Sequence, residues 1–324
     1  MIKRKKNKPQ METILVTGGS GLVGHGIRAA VQRNGLDARF LYASSADCDL
    51  RDYAQTRAFF ERCAPTHVIH LAARVGGLFR NMSQKVEMFL DNVAINNNVL
   101  RACHELGVKR VVSCLSTCVF PDKTAYPIHE GMLHDGPPHA SNDAYAYAKR
   151  MLEVLSRAYN EQHGTTRFVC VIPTNIYGPH DNFHLEDSHV IPGLIHRCWL
   201  AVTRDEPFVV AGTGRPLRQF IHSEDLGRLI LWSLFGYDST EPVILAPSEE
   251  VSIRWIAETI ARLMEYEEPI VYDYDRSDGQ YKKTADNKRL LSLLPENERH
   301  FIALEDGLRE TVRWFVENHE TLRR

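Results

Sequence analysis

The feature that most constrains the fold is a glycine-rich turn placed directly between a predicted strand and a predicted helix. The strand candidate Thr13–Thr17 is short and β-rich, and glycines follow at positions 18, 21 and 24. Glycine at these positions permits a sharp turn, close approach of backbone to a pyrophosphate, and tight packing of helix on strand. The next helix points its positive end at the phosphates. The sequence therefore predicts a dinucleotide-binding βα unit.

Strand and helix patterns alternate along the first half of the chain. The predicted strands after the turn are Arg39–Ala43, His67–Ala73, Arg110–Leu115 and Phe168–Ile172, and the predicted helices are Leu22–Arg33, Tyr53–Cys63, Val86–Leu106 and Tyr145–Gln162. Strands that alternate with helices form a parallel sheet with right-handed crossovers. The predicted fold class is α/β, with a doubly wound, Rossmann-type parallel sheet.

The character of the sequence changes after Pro173, which is expected to stop its strand. Residues 174–218 are rich in Pro, Gly, His and Asn, and further elements are predicted at Leu194–Val202, Leu226–Leu234, Val251–Met264, Ile270–Asp273 and Leu304–Asn318. We expect a nucleotide domain formed by residues 11–175 and about 219–248. A smaller C-terminal α/β substrate lobe is expected from about 176–218 and 249–324.

Composition argues against several classes of protein. A net charge of -2 gives no general attraction to nucleic acid, and no apolar run is long enough to cross a bilayer. Seven scattered cysteines without a CxxC pair argue against a disulfide framework or a zinc site. They favour a reducing compartment, and we predict the cytoplasm. Residues 1–10 carry five basic residues and are expected to form a disordered tail.

The end of the second predicted strand indicates which dinucleotide would bind. An NAD site has an acidic residue there, about 20 residues after the glycines, to hold the ribose 2′-hydroxyl. This chain has Ala43-Ser44-Ser45 instead, which favours NADP. Asp47 or Asp49 could still be the acidic partner, although Asp49 suits an adenine contact better. Arg39 is the nearest candidate for a phosphate-binding arginine.

Tyr145 and Lys149 lie four residues apart and would share one face of a helix. A tyrosine has a pKa of about 10, and a neighbouring ammonium is expected to lower it. An aromatic residue and a solvated lysine on an amphipathic helix would show the same spacing. Their position after four βα elements and a glycine turn favours proton transfer beside a nicotinamide.

Ser116 and Cys118 follow a buried strand, where ligands bind in open α/β sheets. A hydroxyl there can donate to a substrate carbonyl. A thiolate could act as a base toward an acidified C–H bond, although from these residues alone a small apolar filler is the preferred interpretation of Cys118. His180, His184 and His189 match no tight zinc spacing, so we predict no metal site. A general acid is the better functional interpretation for this cluster.

These motifs together resemble the extended short-chain dehydrogenase/reductase family, from about Thr13 to the C-terminus. The generic part is the glycine turn with the tyrosine and lysine. The specific segments are Val75-Gly76-Gly77, Ser116-Thr117-Cys118-Val119-Phe120-Pro121, Pro173-Thr174-Asn175-Ile176-Tyr177-Gly178-Pro179-His180-Asp181-Asn182-Phe183, Ser188-His189-Val190-Ile191-Pro192 and Ser277-Asp278-Gly279-Gln280. They resemble the branch that epimerises C3 and C5 of a GDP-4-keto-6-deoxy sugar and then reduces C4.

The resemblance implies an NADPH-dependent homodimer that makes GDP-L-fucose, and it implies residue roles. Ser116, Tyr145 and Lys149 match the reductase triad, while Cys118 and His189 match the epimerisation base and acid. The matched cofactor positions are Gly18, Gly19, Ser20, Gly21, Leu22, Val23, Gly24, Asp49, Leu71, Ala72, Lys149, Pro173, Asn175, Ile176 and His189, and the matched GDP-sugar positions are Arg197, Arg218, Asp278 and Lys283.

One departure from the family pattern is Ala211, where the family usually has tryptophan, so one large contact surface is missing. Two other functions compete with this interpretation. The first is a 4-epimerase or reductase acting on another nucleotide sugar, which the generic motifs alone would allow. The second is a nicotinamide-sensing regulatory protein, which the retained tyrosine and lysine disfavour.

Overall fold

The computed structural model describes residues 11–165 and 167–322, so the predicted basic tail lies outside the described residues. The strands are β1 Thr13–Thr17, β2 Arg39–Ala43, β3 His67–His70, β4 Arg110–Cys114, β5 Phe168–Pro173, β6 Asn175–Tyr177, β7 Val209–Ala211, β8 Leu217–Arg218, β9 Phe220–His222, β10 Val243–Leu245, β11 Val251–Ser252 and β12 Val271–Asp273. The helices are α1 Leu22–Asn34, α2 Tyr53–Cys63, α3 Leu78–Ser83, α4 Lys85–Glu105, α5 Asp143–His163, α6 Val190–Arg204, α7 Ser223–Phe235, α8 Ile253–Leu263, α9 Lys288–Leu293 and α10 Leu304–Asn318.

Six strands form one parallel sheet in the order β10-β5-β4-β3-β1-β2. Helices cover both of its faces and bury one apolar core on each side. This confirms the predicted doubly wound α/β fold. Because the strands are parallel, their carboxyl ends meet along one edge of the sheet, where a ligand is expected to bind.

Helices α1 and α7 pack unusually closely on one face of the sheet, and two glycines make this contact possible. A Cβ atom on Gly26 would lie 2.0 Å from the Ser223 carbonyl oxygen, and one on Gly227 would lie 2.5 Å from the Gly26 backbone. Any side chain at either glycine would force the two helices apart. The pairing fixes α1, and with it the glycine turn, against the end of the sheet.

A third apolar core lies outside the main sheet. It is built from α6, α8 and α10 with the β7 and β9 segments. Leu290 and Leu294, in contrast, pack in a core of the main sheet although they fall within the 249–324 segment predicted for the lobe. None of the described helices is both long enough and apolar enough to span a bilayer.

Several predicted boundaries are corrected by the structure. β3 ends at His70 rather than Ala73, because the chain turns away there into a loop. Pro173 does not stop β5 but is its last residue, opposite Leu245 in β10 and beyond the pairing with β4, where the sheet needs no donor from proline. A short helix, α3, precedes the predicted long one and was not expected from the sequence.

Two isolated bridges hold the chain between β12 and α9 against both parts of the molecule. Ile128 pairs with Ala285, and Leu217 pairs with Lys282. The Gln219 side chain adds bonds to the backbone of Ala285 in both directions. Residues 282–285 are therefore fixed to segments on both sides, Ile128 on one and Leu217 with Gln219 on the other.

Candidate active site

The glycine turn after β1 has the geometry that a pyrophosphate requires. Gly18 has a φ of 70°, and a Cβ atom there would lie 2.8 Å from the Ala72 nitrogen. Gly21 is the N-cap residue of α1. It has no side chain that could accept a hydrogen bond from the first helical N–H groups. A Cβ atom on Gly24 would lie 2.3 Å from the Gly19 oxygen. The turn therefore fits a dinucleotide with its phosphates at the helix N-terminus.

The end of β2 corrects one prediction. Arg39 begins this strand, opposite Thr13, and thus lies at the end of the sheet away from the glycine turn. It cannot serve as the phosphate-binding arginine. Asp49 is already engaged, because both its carboxylate oxygens accept from the Arg51 guanidinium at 2.8–3.2 Å, which lowers its pKa to about 2.

Lys149 is buried, at 2 % exposure, and its Nζ donates to the Cys114 carbonyl oxygen at 2.7 Å. The same Nζ lies 5.8 Å from the centre of the Tyr145 ring. Helix α5 thus places both side chains beside the carboxyl end of β4. The predicted pair is therefore adjacent in space as well as in sequence.

The expected lowering of the tyrosine pKa is wrong for this structure. Burial raises the pKa of Tyr145 well above its usual value, and the nearby thiols of Cys118 and Cys114 raise it further. Burial also lowers the pKa of Lys149. Tyr145 is consequently a neutral phenol at neutral pH, the form that can donate a proton.

Cys118 lies on the floor of the site, in a short 3₁₀ turn capped by Ser116. The Ser116 Oγ accepts from the Cys118 N–H at 3.4 Å. Burial raises the pKa of the Cys118 thiol, while the charge of Lys283, the Ser116 hydroxyl and the charge of Lys149 lower it. Cys118 is 6 % exposed, borders one apolar core of the main sheet and is near Tyr145. It is protonated at rest, with its ionisation assisted by two cations.

Lys283 is close enough to influence both residues predicted to move protons during epimerisation. Its charge acts on both Cys118 and His189. Burial lowers the pKa of Lys283 to about 8. Burial and Lys283 also lower the pKa of His189, although the His189 side chain is accessible to solvent. Accessible groups that are closely surrounded by protein are typical of a cleft. Lys283, predicted as a GDP-sugar contact, is thus also near the residues predicted as the epimerisation base and acid.

The other predicted sugar-nucleotide contacts come from the region around the third core. Arg197 donates to the Leu185 oxygen at 2.9 Å, and Arg218 donates to the Gln280 oxygen at 2.5 Å. Burial lowers the pKa of Arg218 to about 10. Asp278 accepts from the Thr213 N–H at 2.7 Å and its hydroxyl at 2.8 Å. In this structure Asp278 therefore fixes the loop after Ala211.

The remaining predicted cofactor positions lie at the carboxyl ends of β3 and β5. Leu71 and Ala72 follow β3, and the Leu71 N–H donates to the Thr17 oxygen at 3.1 Å. Asn175 and Ile176 are in β6, one residue after Pro173 ends β5. The intervening Thr174 has a buried hydroxyl with no partner among the described residues. Asp181 also has a buried carboxylate oxygen with no partner among the described residues, and burial raises the pKa of Asp181 to about 7.

A buried hydrogen-bond chain that we did not predict joins the glycine turn to helix α5. The Ala72 N–H donates to the Thr17 hydroxyl at 3.4 Å, and that hydroxyl lies 2.9 Å from His70 Nδ1. His70 Nε2 lies 3.0 Å from the Asn96 oxygen, and Asn96 Nδ2 donates to the Ala148 oxygen at 3.3 Å. Burial holds the His70 pKa at about 3, so the imidazole stays neutral. The only sequence signal for this hydrogen-bond chain is the polar His70 within the apolar run of a predicted strand.

The segment containing His189 is held by the loop after β3. Gly77 N–H donates to the Asp187 oxygen at 3.0 Å, and a Cβ atom on Gly77 would lie 2.6 Å from the Ser188 oxygen. His180 instead stacks on His25, with ring centres 3.7 Å apart. The described residues contain no group of three or more His, Cys, Asp or Glu side chains placed to hold a metal ion.

Comparison with known proteins agrees with this geometry. Residues 14–244 match the model of the NAD dependent epimerase/dehydratase family. The chain is 53% identical to the GDP-L-fucose synthase of Dictyostelium discoideum over 96% of this chain and 98% of that protein. It is 48% identical to the probable GDP-L-fucose synthase of Drosophila melanogaster, over 97% and 100% of the two chains.

A solved structure is similar over almost the whole chain. The crystal structure of a GDP-L-fucose synthetase from Naegleria fowleri bound to NADP has a TM-score of 0.91 and 47% sequence identity, and the match covers 98% of each chain. The resemblance to the extended short-chain dehydrogenase/reductases is confirmed.

Proposed function

The chain belongs to the NAD dependent epimerase/dehydratase family, and we propose that it converts GDP-4-dehydro-6-deoxy-D-mannose to GDP-L-fucose with NADPH. The conversion has two parts, inversion at C3 and C5 and reduction at C4. One observation carries the proposal: the Cys118 thiol, in the turn that Ser116 caps after β4, is near enough to both Tyr145 and Lys283 for their charges to interact. A simple reductase has no use for a thiol beside its proton donor, whereas an epimerase needs a base there.

The chain's own residues suit the epimerisation. The C4 ketone acidifies the C–H bonds at C3 and C5, because removal of either proton gives an enolate. Cys118, as thiolate, removes the proton from one face, and the charges of Lys283 and Lys149 stabilise that thiolate. His189 delivers a proton to the opposite face, and its lowered pKa makes the imidazolium a stronger acid.

The same residues that stabilise the enolate serve the reduction. Ser116 and the Tyr145 hydroxyl donate to the C4 oxygen as it gains charge. The bound NADPH supplies the hydride for C4. Tyr145 then protonates the C4 oxygen, and the nearby Lys149 ammonium favours the phenolate that forms. One oxyanion site thus serves two reactions, which explains why both occur in one cleft.

We propose that the lobe built on the third core holds the GDP part of the substrate. Arg197 and Arg218 bring guanidinium groups, which suit a diphosphate, and Lys283 on the fixed segment 282–285 is near Arg218. Asp278 acts by shaping the loop that carries Thr213. The seven cysteines are free thiols, which supports a cytoplasmic location.

Incubation of the protein with NADPH and GDP-4-keto-6-deoxymannose tests the proposed function. We expect loss of reduced-nicotinamide absorbance and formation of GDP-L-fucose, identified by chromatography and NMR. NAD retained through purification, together with interconversion of a nucleotide sugar at C4 alone, would instead identify the protein as a 4-epimerase. A nicotinamide-sensing protein would bind NADPH without oxidising it.

We further propose a homodimer formed through one exposed apolar surface, the α4–α5 face. It consists of Val86, Phe89 and Leu90 on α4 with Tyr147 and Met151 on α5, spaced at helical intervals on adjacent helices. Val86 is 64% exposed and Leu90 58%. Adjacent large apolar side chains exposed in this way are typical of a protein–protein interface. A second copy of the chain is the occupant that the family resemblance implies.

Leu90→Arg is expected to convert the dimer to a monomer, because two charges would be buried in a symmetric interface. Sedimentation equilibrium of both proteins measures this. Val316→Arg is the matched control, since Val316 is exposed to 44% on α10, outside the α4–α5 face. An unmutated chain that is monomeric at micromolar concentration, or a Leu90→Arg variant that stays dimeric, would refute the proposed interface.

A further inference from the structure

The turn after β2 holds a carboxylate of the chain itself. Both the backbone N–H and the hydroxyl of Ser44 donate to the same Asp47 oxygen, each at 2.8 Å. The Ala46 N–H donates in turn to the Ser44 hydroxyl oxygen at 3.2 Å. Two donors thus converge on one anion at the carboxyl edge of the sheet. Asp47 is exposed, so this anion can leave without breaking a buried contact.

An arginine with no counter-ion among the described residues lies beside this turn. The Arg28 guanidinium stacks on the Tyr42 ring, 3.6 Å from its centre. Arg28 is exposed and forms no ion pair with any carboxylate in the described part of the chain. Ser44 follows Tyr42 by two positions and directly follows the last residue of β2, about 7 Å along the chain from Tyr42. The guanidinium and the Ser44 donors therefore lie at the same end of this strand.

The glycine turn lies against this strand end. Gly19 N–H donates to the Ala43 oxygen at 2.8 Å, and a Cβ atom on Gly19 would lie 2.7 Å from the Tyr42 Cβ. A dinucleotide whose pyrophosphate binds the turn would place its adenosine ribose near this contact. Its 2′ position would then face the space between Arg28 and Ser44.

We propose that Arg28 and the two Ser44 donors bind the 2′-phosphate of NADPH, and that Asp47 is an internal anion displaced when it binds. The proposal rests on the proposed use of NADPH. A phosphomonoester carries about -1.5 to -2 charge and three acceptor oxygens, so it competes for the Ser44 donors that Asp47 occupies. The planar guanidinium matches phosphate oxygens in a two-point contact. The stack on Tyr42 orders the guanidinium before the ligand arrives.

The two charged residues should act in opposite directions on cofactor choice. Arg28 favours the phosphate, whereas Asp47 opposes it by repulsion and by occupying its donors. Asp47 could accept instead from the 2′-hydroxyl of NADH. Removal of Arg28 should therefore weaken NADPH binding alone, and removal of the Asp47 charge should strengthen NADPH binding without strengthening NADH binding.

Dissociation constants of the unmutated chain and its variants for NADPH and NADH, measured by nicotinamide fluorescence, test the proposal. Arg28→Met is expected to weaken NADPH binding about 10- to 100-fold with NADH unchanged, as for loss of hydrogen bonds to a charged group. Arg28→Lys keeps the charge but lacks the planar guanidinium. Its affinity for NADPH should lie between those of the unmutated chain and of Arg28→Met. Asp47→Asn should tighten NADPH binding several-fold. Arg39→Met is the control, at the opposite end of the same strand.

Binding of 2′,5′-ADP and of 5′-ADP isolates the phosphate, because the two ligands differ only there. Arg28→Met should weaken the first and leave the second unchanged. Equal weakening of both ligands, or an Arg28→Met variant that keeps its NADPH preference, would overturn the assignment while leaving the proposed function intact. An unmutated chain that binds NADPH no better than NADH would count against both this assignment and the proposed use of NADPH.

Discussion

Tyr145→Phe is expected to slow NADPH oxidation on the keto sugar by about 10²- to 10⁴-fold, the usual loss when a positioned general acid is removed. Burial keeps the Tyr145 phenol protonated, and Lys149 is near enough to favour the phenolate left behind. Phenylalanine keeps the ring and its packing but has no proton to give. Single-turnover measurement of nicotinamide absorbance reports the hydride-transfer step directly.

The control for this variant is Tyr147→Phe, on the same helix but exposed to solvent. It should leave hydride transfer unchanged. NADPH binding should be preserved in both variants, because neither hydroxyl is part of the glycine turn. Normal NADPH oxidation by Tyr145→Phe would remove this residue from the proton-donor role and leave Ser116 as the principal donor to the C4 oxygen.

Cys118→Ser is expected to reduce solvent deuterium uptake at C3 and C5 of the sugar by at least about 10²-fold. A serine hydroxyl ionises far less readily than a thiol, so Lys283 and Lys149 cannot generate a useful base from it. The replacement is nearly isosteric, and the variant should fold and bind NADPH. NMR of the sugar after incubation in D₂O measures the exchange at each carbon.

The control is Cys103→Ser, a fully buried cysteine in α4 away from the cleft. This variant should be somewhat less stable, and its rate of deuterium exchange should be unchanged. In the unmutated chain, exchange should rise by about tenfold per pH unit while the thiol is mostly protonated. The rise should flatten above about pH 8, where Lys283 loses its charge. Undiminished exchange in Cys118→Ser, or a rate independent of pH, would contradict the thiolate mechanism.

The sequence predicts those parts of the site that can be recognised within a short stretch of the chain. The glycine turn is recognised by the spacing of its glycines, and the tyrosine–lysine pair by its separation of four residues on one helix. Both signals lie within one βα unit or one helix, so tertiary packing does not change them. Cys118 was assigned by resemblance, and the structure adds its neighbours, Tyr145 and Lys283, which lie far from it in the chain.

The parts that the sequence did not predict depend on contacts between distant segments. Arg39 is nearest to the serines along the strand, but the strand's direction places it at the wrong end. Arg28 is on the preceding helix, and only packing of α1 on β2 brings it over Tyr42. The same holds for the hydrogen-bond chain from Thr17 to Asn96, whose members come from three elements.

The outer strand β10 has a consequence for synthesis of the protein. It pairs with β5, yet about 70 residues separate them, including α6 of the third core. A nascent chain therefore cannot complete its main sheet until much of the other core has left the ribosome. The third core in turn waits for Leu308 and Phe315 in the last helix. The two cores should thus mature together, late in translation, and truncation within α10 would leave the nucleotide sheet attached to an unfinished lobe.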